Sequence, residues 1–231
     1  MGSILISFLS FAMIQIKKFT FNVFSENTYI ISNDKNEAII IDPGCSNAYE
    51  QTQLSEYIAK QALIPIRLIN THCHIDHVLG NDFVREKYAI KLEAHRNELP
   101  ILARVHEYAA MFGQEIDAQL PPEIFIEDQA TFDFGDTRFK ALLAPGHSPG
   151  SLCFYFENEK VVIAGDVLFK GSVGRYDLPG ANGEDLFRSV TEVMMSLPDD
   201  VKVFSGHGPE TTIGEERKSN PFINRQFFFG V

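Results

Sequence analysis

Between residues 72 and 77 the chain reads His72-Cys73-His74-Ile75-Asp76-His77, three histidines and an aspartate in a protein with only seven histidines. Neutral imidazole and carboxylate are ligands for a borderline divalent ion such as zinc, and iron and manganese accept the same N/O donors. In an extended backbone His72 and His74 point to one side. A turn after them would bring Asp76 and His77 round to the far side of the same space. A lone histidine is more often a satisfied core or surface group. Four such groups in one loop make a metal-site pattern.

Three more candidates stand beside glycines. His147 lies in Pro145-Gly146-His147-Ser148-Pro149-Gly150, Asp166 in Gly165-Asp166, and His207 in Gly206-His207-Gly208. Glycine lets a backbone pass close to a site with no Cβ in the way. Each segment alone is equally a turn builder. Together they supply further ligands and account for five of the seven histidines. Cys73 alternates away from its neighbours, so it is expected in a wall or the core.

The elements that must position these groups follow from periodicity. Residues 64–70 are apolar enough for a buried strand, and 78–88 have helical spacing, so the cluster falls where a strand hands over to a helix. Upstream, 13–22 alternate like a strand, and 27–32 and 37–42 are two strands around a polar break of hairpin composition. A helix is expected at about 48–62 and a short strand over 89–94. Residues 95–122 are the least regular; Leu99, Leu102, Val105, Tyr108, Ala109 and Phe112 form an apolar stripe, either a pocket wall or a face packed on the core. Residues 124–166 read as antiparallel strands, followed by a helix at about 184–195 and a last strand at 201–204. A faint echo runs through the chain: strand, helix, strand ending near His72, then strand, helix, strand ending near His207. It suggests two stacked β/α halves with a site at their shared edge.

At 231 residues the chain is long enough for one sizeable core, and 45% hydrophobic with 22% charged residues is an ordinary globular balance. The formal charge of −11 opposes phosphate backbones, so no nucleic-acid partner is expected. Three widely spaced cysteines are an odd set, expected as free thiols in a reducing compartment, the cytoplasm. Residues 1–12 are apolar and uncharged but fall short of the roughly 20 residues of a membrane span. They are expected to be an extension or start-site artefact ahead of a domain over 13–231, with a weak export signal as the alternative. Oligomeric state is left open.

The His72-Cys-His74-Ile-Asp76-His77 run resembles the HxHxDH signature of the metallo-β-lactamase superfamily. The run from Gly165 through Gly180 and the tail from Gly206 through Arg217 to Phe222 resemble its glyoxalase II-like group. The resemblance covers roughly residues 13–222. It implies an α/β (α+β) fold, an αββα sandwich of two mixed sheets flanked by helices, with metals at one edge. It implies a first cation held by His72, His74 and His147, a second by Asp76, His77 and His207, and Asp166 bridging both. Asp42, in the acidic turn closing a strand, would orient ligands without binding metal. The cofactors expected are two divalent ions, zinc first, with iron or manganese as alternatives.

Two close cations would activate a water at neutral pH and polarise the attacked carbonyl, with Asp76 the expected catalytic carboxylate able to hold the water's proton. A thioester suits this apparatus because a thiolate leaves without a strong general acid. The expected substrate is a small thioester of the hydroxyacylglutathione (S-lactoylglutathione) type. The chain resembles the short bacterial-type relatives, lacking the helical C-terminal domain with which long glyoxalase II enzymes bind glutathione, so another thioester stays open. Lys170 and Arg175 are candidates for an anionic substrate, and Tyr108, Phe112 and Phe169 for the acyl pocket. For Arg175 a loop-fixing ion pair with Asp177 is the slightly favoured alternative. The competing class is a mononuclear iron persulfide dioxygenase, which shares the Gly174-Arg175-x-Asp177 loop.

Overall fold

The computed structural model describes residues 14–111, 116 and 118–224. The apolar stretch 1–12, Phe112 and Phe227-Phe-Phe229 lie outside them. Two six-stranded sheets face each other. The first runs in chain order: β1 (Gln15–Phe21), β2 (Glu26–Ser32), β3 (Glu37–Ile41), β4 (Ile64–Ile69), β5 (Leu92–Ala94) and β6 (Ile124–Phe125). Its first three strands are antiparallel and the rest add in parallel. In the second sheet β7 (Thr131–Phe134), β8 (Thr137–Leu143), β9 (Leu152–Phe156) and β10 (Val161–Gly165) form an antiparallel meander. A small hairpin, β11 (Leu168–Phe169) with β12 (Ser172–Val173), follows it. Then β13 (Lys202–Ser205) joins β10 in parallel, and β14 (Thr211–Thr212) closes that edge.

Both sheets are mixed because each contains a helical crossover, which parallel neighbours require. In the first sheet α1 (Ala48–Lys60) carries the chain from β3 to β4. In the second α6 (Gly183–Arg188), continued by a widened turn over Ser189–Val193, carries it from β10 to β13. The echo in the sequence is thus a repeated β-α-β unit.

Burial separates three apolar layers. Ile31, Ile39, Ile41 and Ile69 of the first sheet meet Phe139, Phe154, Phe156 and Ile163 of the second between the sheets. Leu54 and Ile58 of α1 and Val84 cover the outer face of the first sheet. Leu186, Val190, Met194 and Ile213 cover the outer face of the second. This is the αββα sandwich expected from the sequence. Among the described residues no helix is long and apolar enough to cross a membrane.

The differences from expectation have local causes. The helix expected over 78–88 is two pieces, α2 (Ile75–Val78) and α3 (Asn81–Tyr88). Between them the Gly80 amide donates to the Pro43 carbonyl at 2.7 Å, and a Cβ there would strike the Cys45 sulfur. That contact lets α2 begin early and lift Asp76 and His77 on its single turn. The apolar stripe of the 95–122 region is also split, into α4 (Leu99–Leu102) and α5 (Val105–Met111). Its Ile101, Leu102, Val105 and Ala109 pack with Cys73, Ile75 and Val78 beneath the histidine loop. The closing β14 and α7 (Ile213–Ser219) were not anticipated.

Candidate metal centre

Strand ends converge on one edge of the sandwich. β4 is followed by the loop holding His72 and His74, β8 by the loop holding His147, β10 by Asp166 and β13 by His207. The two sheets are laced together there: the Leu152 amide donates to the Thr71 carbonyl at 2.8 Å, and the Asn27 amide to the Gly206 carbonyl at 2.7 Å.

Two ligand sets result. The donor atoms of His72, His74 and His147 lie within 4.8 Å of one another, and so do those of Asp76, His77 and His207. Asp166 stands between the sets. Its Oδ1 is 3.5 Å from His77 Nε2, while its Oδ2 is 3.5 Å from His147 Nε2 and 3.6 Å from His207 Nε2. Gly206 permits this, since a Cβ on it would overlap both Asp166 Oδ1 and the His77 ring.

The hydrogen bonds behind the rings set which nitrogen faces inward. Thr71 Oγ1 donates to Asp42 Oδ2 at 2.6 Å, so it accepts from His72 Nδ1 at 3.0 Å. His77 Nδ1 donates to Asp42 Oδ2 at 3.1 Å, His147 Nδ1 to the Arg175 carbonyl at 2.8 Å and His207 Nδ1 to the Ser25 carbonyl at 3.2 Å. A ring whose Nδ1 proton is spent outward presents Nε2 as a donor atom inward. His74 is turned the other way, with Nδ1 facing the set, 2.9 Å from His147 Nε2. Asp42 also falls within ligand distance of His72 and His77. Its oxygens, however, already take the Thr71 amide, the Thr71 hydroxyl and His77 Nδ1, so it backs the rings and does not face the space they enclose.

Electrostatics follow this division. Burial, then neighbouring histidines, push His72 down, and burial with His147 brings His74 to about 3; burial also lowers His147. These three are neutral, lone pairs available, at neutral pH. Burial works against charge on His77, yet Asp76 and Asp166 overcome it and hold its pKa well above the usual value. His207 is raised likewise, burial being outweighed by its bond to Asp76. Against burial, His77 keeps the carboxyls of Asp76 and Asp166 below their normal range.

These residues fit a metal. His72 Nε2 and His147 Nε2 approach to 3.2 Å with both Nδ1 protons directed outward, so two lone pairs face each other with nothing to share. Nitrogens bound to one tetrahedral zinc stand about 3.3 Å apart. His77 Nε2 and Asp166 Oδ1 are buried and have no hydrogen-bond partner. A cation answers both anomalies at once, which an apolar filling would not.

The proposed substrate residues are placed differently. Phe169 lies beside the centre, its ring centroid 6.2 Å from that of His207. Arg175 turns its guanidinium outward onto Asp177 at 2.9 and 3.0 Å, the loop-fixing alternative, and serves the centre through its carbonyl. Lys170 pairs with Glu215 at 3.4 Å on the surface. Tyr108 is half-buried on α5 under the Arg104 guanidinium. Phe112 lies outside the described residues. Sequence reasoning missed Thr71, Glu98 and the carbonyls of Ser25 and Arg175. Thr71 was detectable, being a hydroxyl adjacent to a ligand at a strand end; the carbonyls carry no residue signal at all.

Comparison with known proteins agrees with this geometry. Residues 21–207 match the model of the metallo-beta-lactamase superfamily. A probable metallo-hydrolase, YqgX of Bacillus subtilis, is 38% identical over 86% of this chain and 92% of its own length. The hydroxyacylglutathione hydrolase GloC of Haemophilus influenzae is 34% identical over 87% of this chain and 94% of its own. Among solved structures, the BLEG-1 B3 metallo-beta-lactamase superimposes with a TM-score of 0.83 at 33% identity, covering 90% of this chain and 99% of that one. TTHA1623 in a di-iron-bound form gives 0.80 at 35% identity, over 89% of this chain and 99% of that one.

Proposed function

The chain belongs to the metallo-beta-lactamase superfamily of metal-dependent hydrolases, and from that premise we propose that it hydrolyses a small thioester of the hydroxyacylglutathione type at a two-metal centre. His72, His74 and His147 would hold one divalent ion, Asp76, His77 and His207 the other, and Asp166 would touch both. The observation that carries this is Asp166, whose two oxygens are divided between His77 and His147 at 3.5 Å each. Zinc suits the donor set first; the di-iron form of a 35% identical relative keeps iron in view.

Bound there, such ions supply Lewis acidity, lowering the pKa of water to about 7 and polarising a carbonyl. The protein's own groups do the rest. The outward hydrogen bonds of His72, His77, His147 and His207 aim each Nε2 inward. His72 and His147 present a lone pair there, whereas His77 and His207, whose protonated forms are favoured by Asp76 and Asp166, would give up a proton as a cation binds. Asp76, its Oδ2 3.0 Å from His207 Nε2, is placed to take the proton that attacking water gives up. A leaving thiolate needs no proton in return. Phe169 beside His207 forms an apolar rim for the acyl group. Lys170 and Arg175, already paired with acids, contribute little free charge to bind a glutathione carboxylate. The three buried free thiols suit a reducing cytoplasm.

The relative named a B3 metallo-beta-lactamase supports a second substrate class, a β-lactam, whose amine leaves less readily. The test is metal content measured with a panel of S-lactoylglutathione, a simple acyl thioester, a β-lactam and glutathione persulfide. Two metals per chain with thioester turnover are expected, both lost in Asp166→Ala. One iron with oxygen uptake on the persulfide, or a folded Asp166→Ala that keeps its metals and turnover, would overturn the proposal.

A further inference from the structure

Glu98 ends the short turn Arg96–Glu98 and is wholly buried beneath the metal centre. Its Oε2 accepts the Cys73 amide at 2.8 Å. Its Oε1 accepts the Gly150 amide at 2.6 Å and the Ser148 hydroxyl. Cys73 lies between His72 and His74, and Ser148 follows His147. One carboxylate therefore ties together the two loops that carry all three histidines of the first ligand set. Gly150 fits against it so closely that a Cβ would come within 3.0 Å of Glu98 Cγ and Oε1.

Those loops need a tie. His72 Nε2 and His147 Nε2, 3.2 Å apart with both Nδ1 protons directed outward, repel one another until a cation enters. Cohesion must come from behind the rings. The donors reaching Glu98 are two backbone N–H groups and a hydroxyl, so only a side chain with two acceptor oxygens serves both loops. We infer that Glu98 is a positioning residue that sets the spacing of the His72/His74/His147 site, pre-paying the approach of its nitrogens so that metal binds there tightly. This rests on the metal-centre reading above.

Glu98→Gln keeps the volume but replaces one acceptor oxygen with an NH2 that must face a backbone N–H, releasing one loop. Glu98→Asp keeps both oxygens on a shorter stem. To isolate the site, each is made in a His207→Ala background, which leaves the three-histidine set intact. Zinc affinity is read by competition with a chromophoric chelator, and folding by circular dichroism and thermal melting of the metal-free protein. Glu98→Gln should weaken zinc by about 10–100-fold, the range for outer partners of metal ligands, with partial recovery in Glu98→Asp. If Glu98→Gln does not fold, Ser148→Ala, which removes one donor and creates no clash, should still weaken zinc several-fold. Zinc affinity within twofold of the background in a folded Glu98→Gln, or in Ser148→Ala if that is the variant available, overturns the inference. So does equal weakening at both sites of the otherwise unmutated protein. Failure of the unmutated protein to bind zinc would instead sink the metal-centre reading itself.

Discussion

The Nδ1 of His77 lies 3.1 Å from Oδ2 of Asp42, and both side chains are buried. That contact fixes the ring's tautomer and leaves Nε2 facing Asp76 and Asp166. Asp42 also holds the Thr71 amide and hydroxyl, from a backbone at φ 50° where few non-glycine residues sit. Asp42→Asn keeps the shape but loses charge and, at one atom, the ability to accept. Metal affinity of the Asp76/His77/His207 set should fall about 10–100-fold. The three-histidine set should fall less, because only His72 is reached, through Thr71. A two-site zinc titration checks this; equal losses at the two sets would argue against it.

Gly206 and Gly208 flank His207 but make opposite demands. Gly206 has no room, for its Cβ would overlap Asp166 Oδ1 and the His77 ring. Gly208 has open space but φ 73°. Gly208→Ala should therefore cost about 1–2 kcal/mol from backbone strain and leave metal content unchanged. Gly206→Ala should cost about 1–3 kcal/mol through overpacking and also lose metal, because the carboxylate it displaces is the one proposed to bridge the two ions. Chemical denaturation of the metal-free proteins, with metal analysis of the loaded ones, separates the two effects.

The contrast between what the sequence revealed and what it hid has a physical basis. That His72, His74, Asp76, His77, His147, Asp166 and His207 would come together at one sheet edge was legible because histidine is rare and these residues end strands or sit in turns beside glycine. The sheets were legible because strands such as β3, buried on both faces, leave long runs like Ala38-Ile-Ile-Ile41. The break between α2 and α3 was hidden, since it depends on Gly80 meeting Pro43, 37 positions earlier in the numbering. Glu98 was hidden for a similar reason. In the stretch His95-Arg96-Asn97-Glu98 it looks like one more solvated acid, and only the tertiary fold buries it. Partners that act through a backbone carbonyl, as Ser25 and Arg175 do, leave no trace in residue type.

Buried Glu93 of β5 and half-buried Arg67 of β4 make an ion pair away from the centre. Arg67 Nε donates to Glu93 Oε1 at 2.9 Å, a second bond forms alongside, and the guanidinium lies 4.0 Å from the Phe132 ring centroid. The Glu93 side chain is 5% exposed, and its pKa is raised by burial although Arg67 pulls it back. Arg67→Ala strands that carboxylate and should destabilise the fold by about 3–5 kcal/mol. Removing both charges, as Arg67→Met with Glu93→Leu, should recover most of the loss, because two desolvated ions are replaced by packing. Urea denaturation of the single and double variants measures it; a double variant as unstable as Arg67→Ala would refute the desolvation argument.

Glu26 supplies a pH test on a group that is not a proposed ligand. It is fully buried; Oε2 accepts from Thr28 Oγ1 at 2.8 Å, while Oε1 has no hydrogen-bond partner. Burial raises its pKa well above 4.5, and the nearby positive charge favoured on His77 only partly offsets this. The sign follows from linkage. A carboxyl with a raised folded pKa binds its proton more tightly folded than unfolded, so its contribution to stability falls as pH climbs from 4.5 through the folded value. Below 4.5 the group is protonated in both states and costs nothing extra. Glu26→Gln, which cannot ionise, should therefore melt above the wild type at pH 8 in the metal-free protein, by a few degrees for about 1 kcal/mol in a domain of this size. The advantage should shrink as pH falls toward 4.5. Melting curves of both proteins across pH 4.5–8 decide it, and an advantage that stays constant with pH would mean that ionisation of Glu26 is not what burdens the fold.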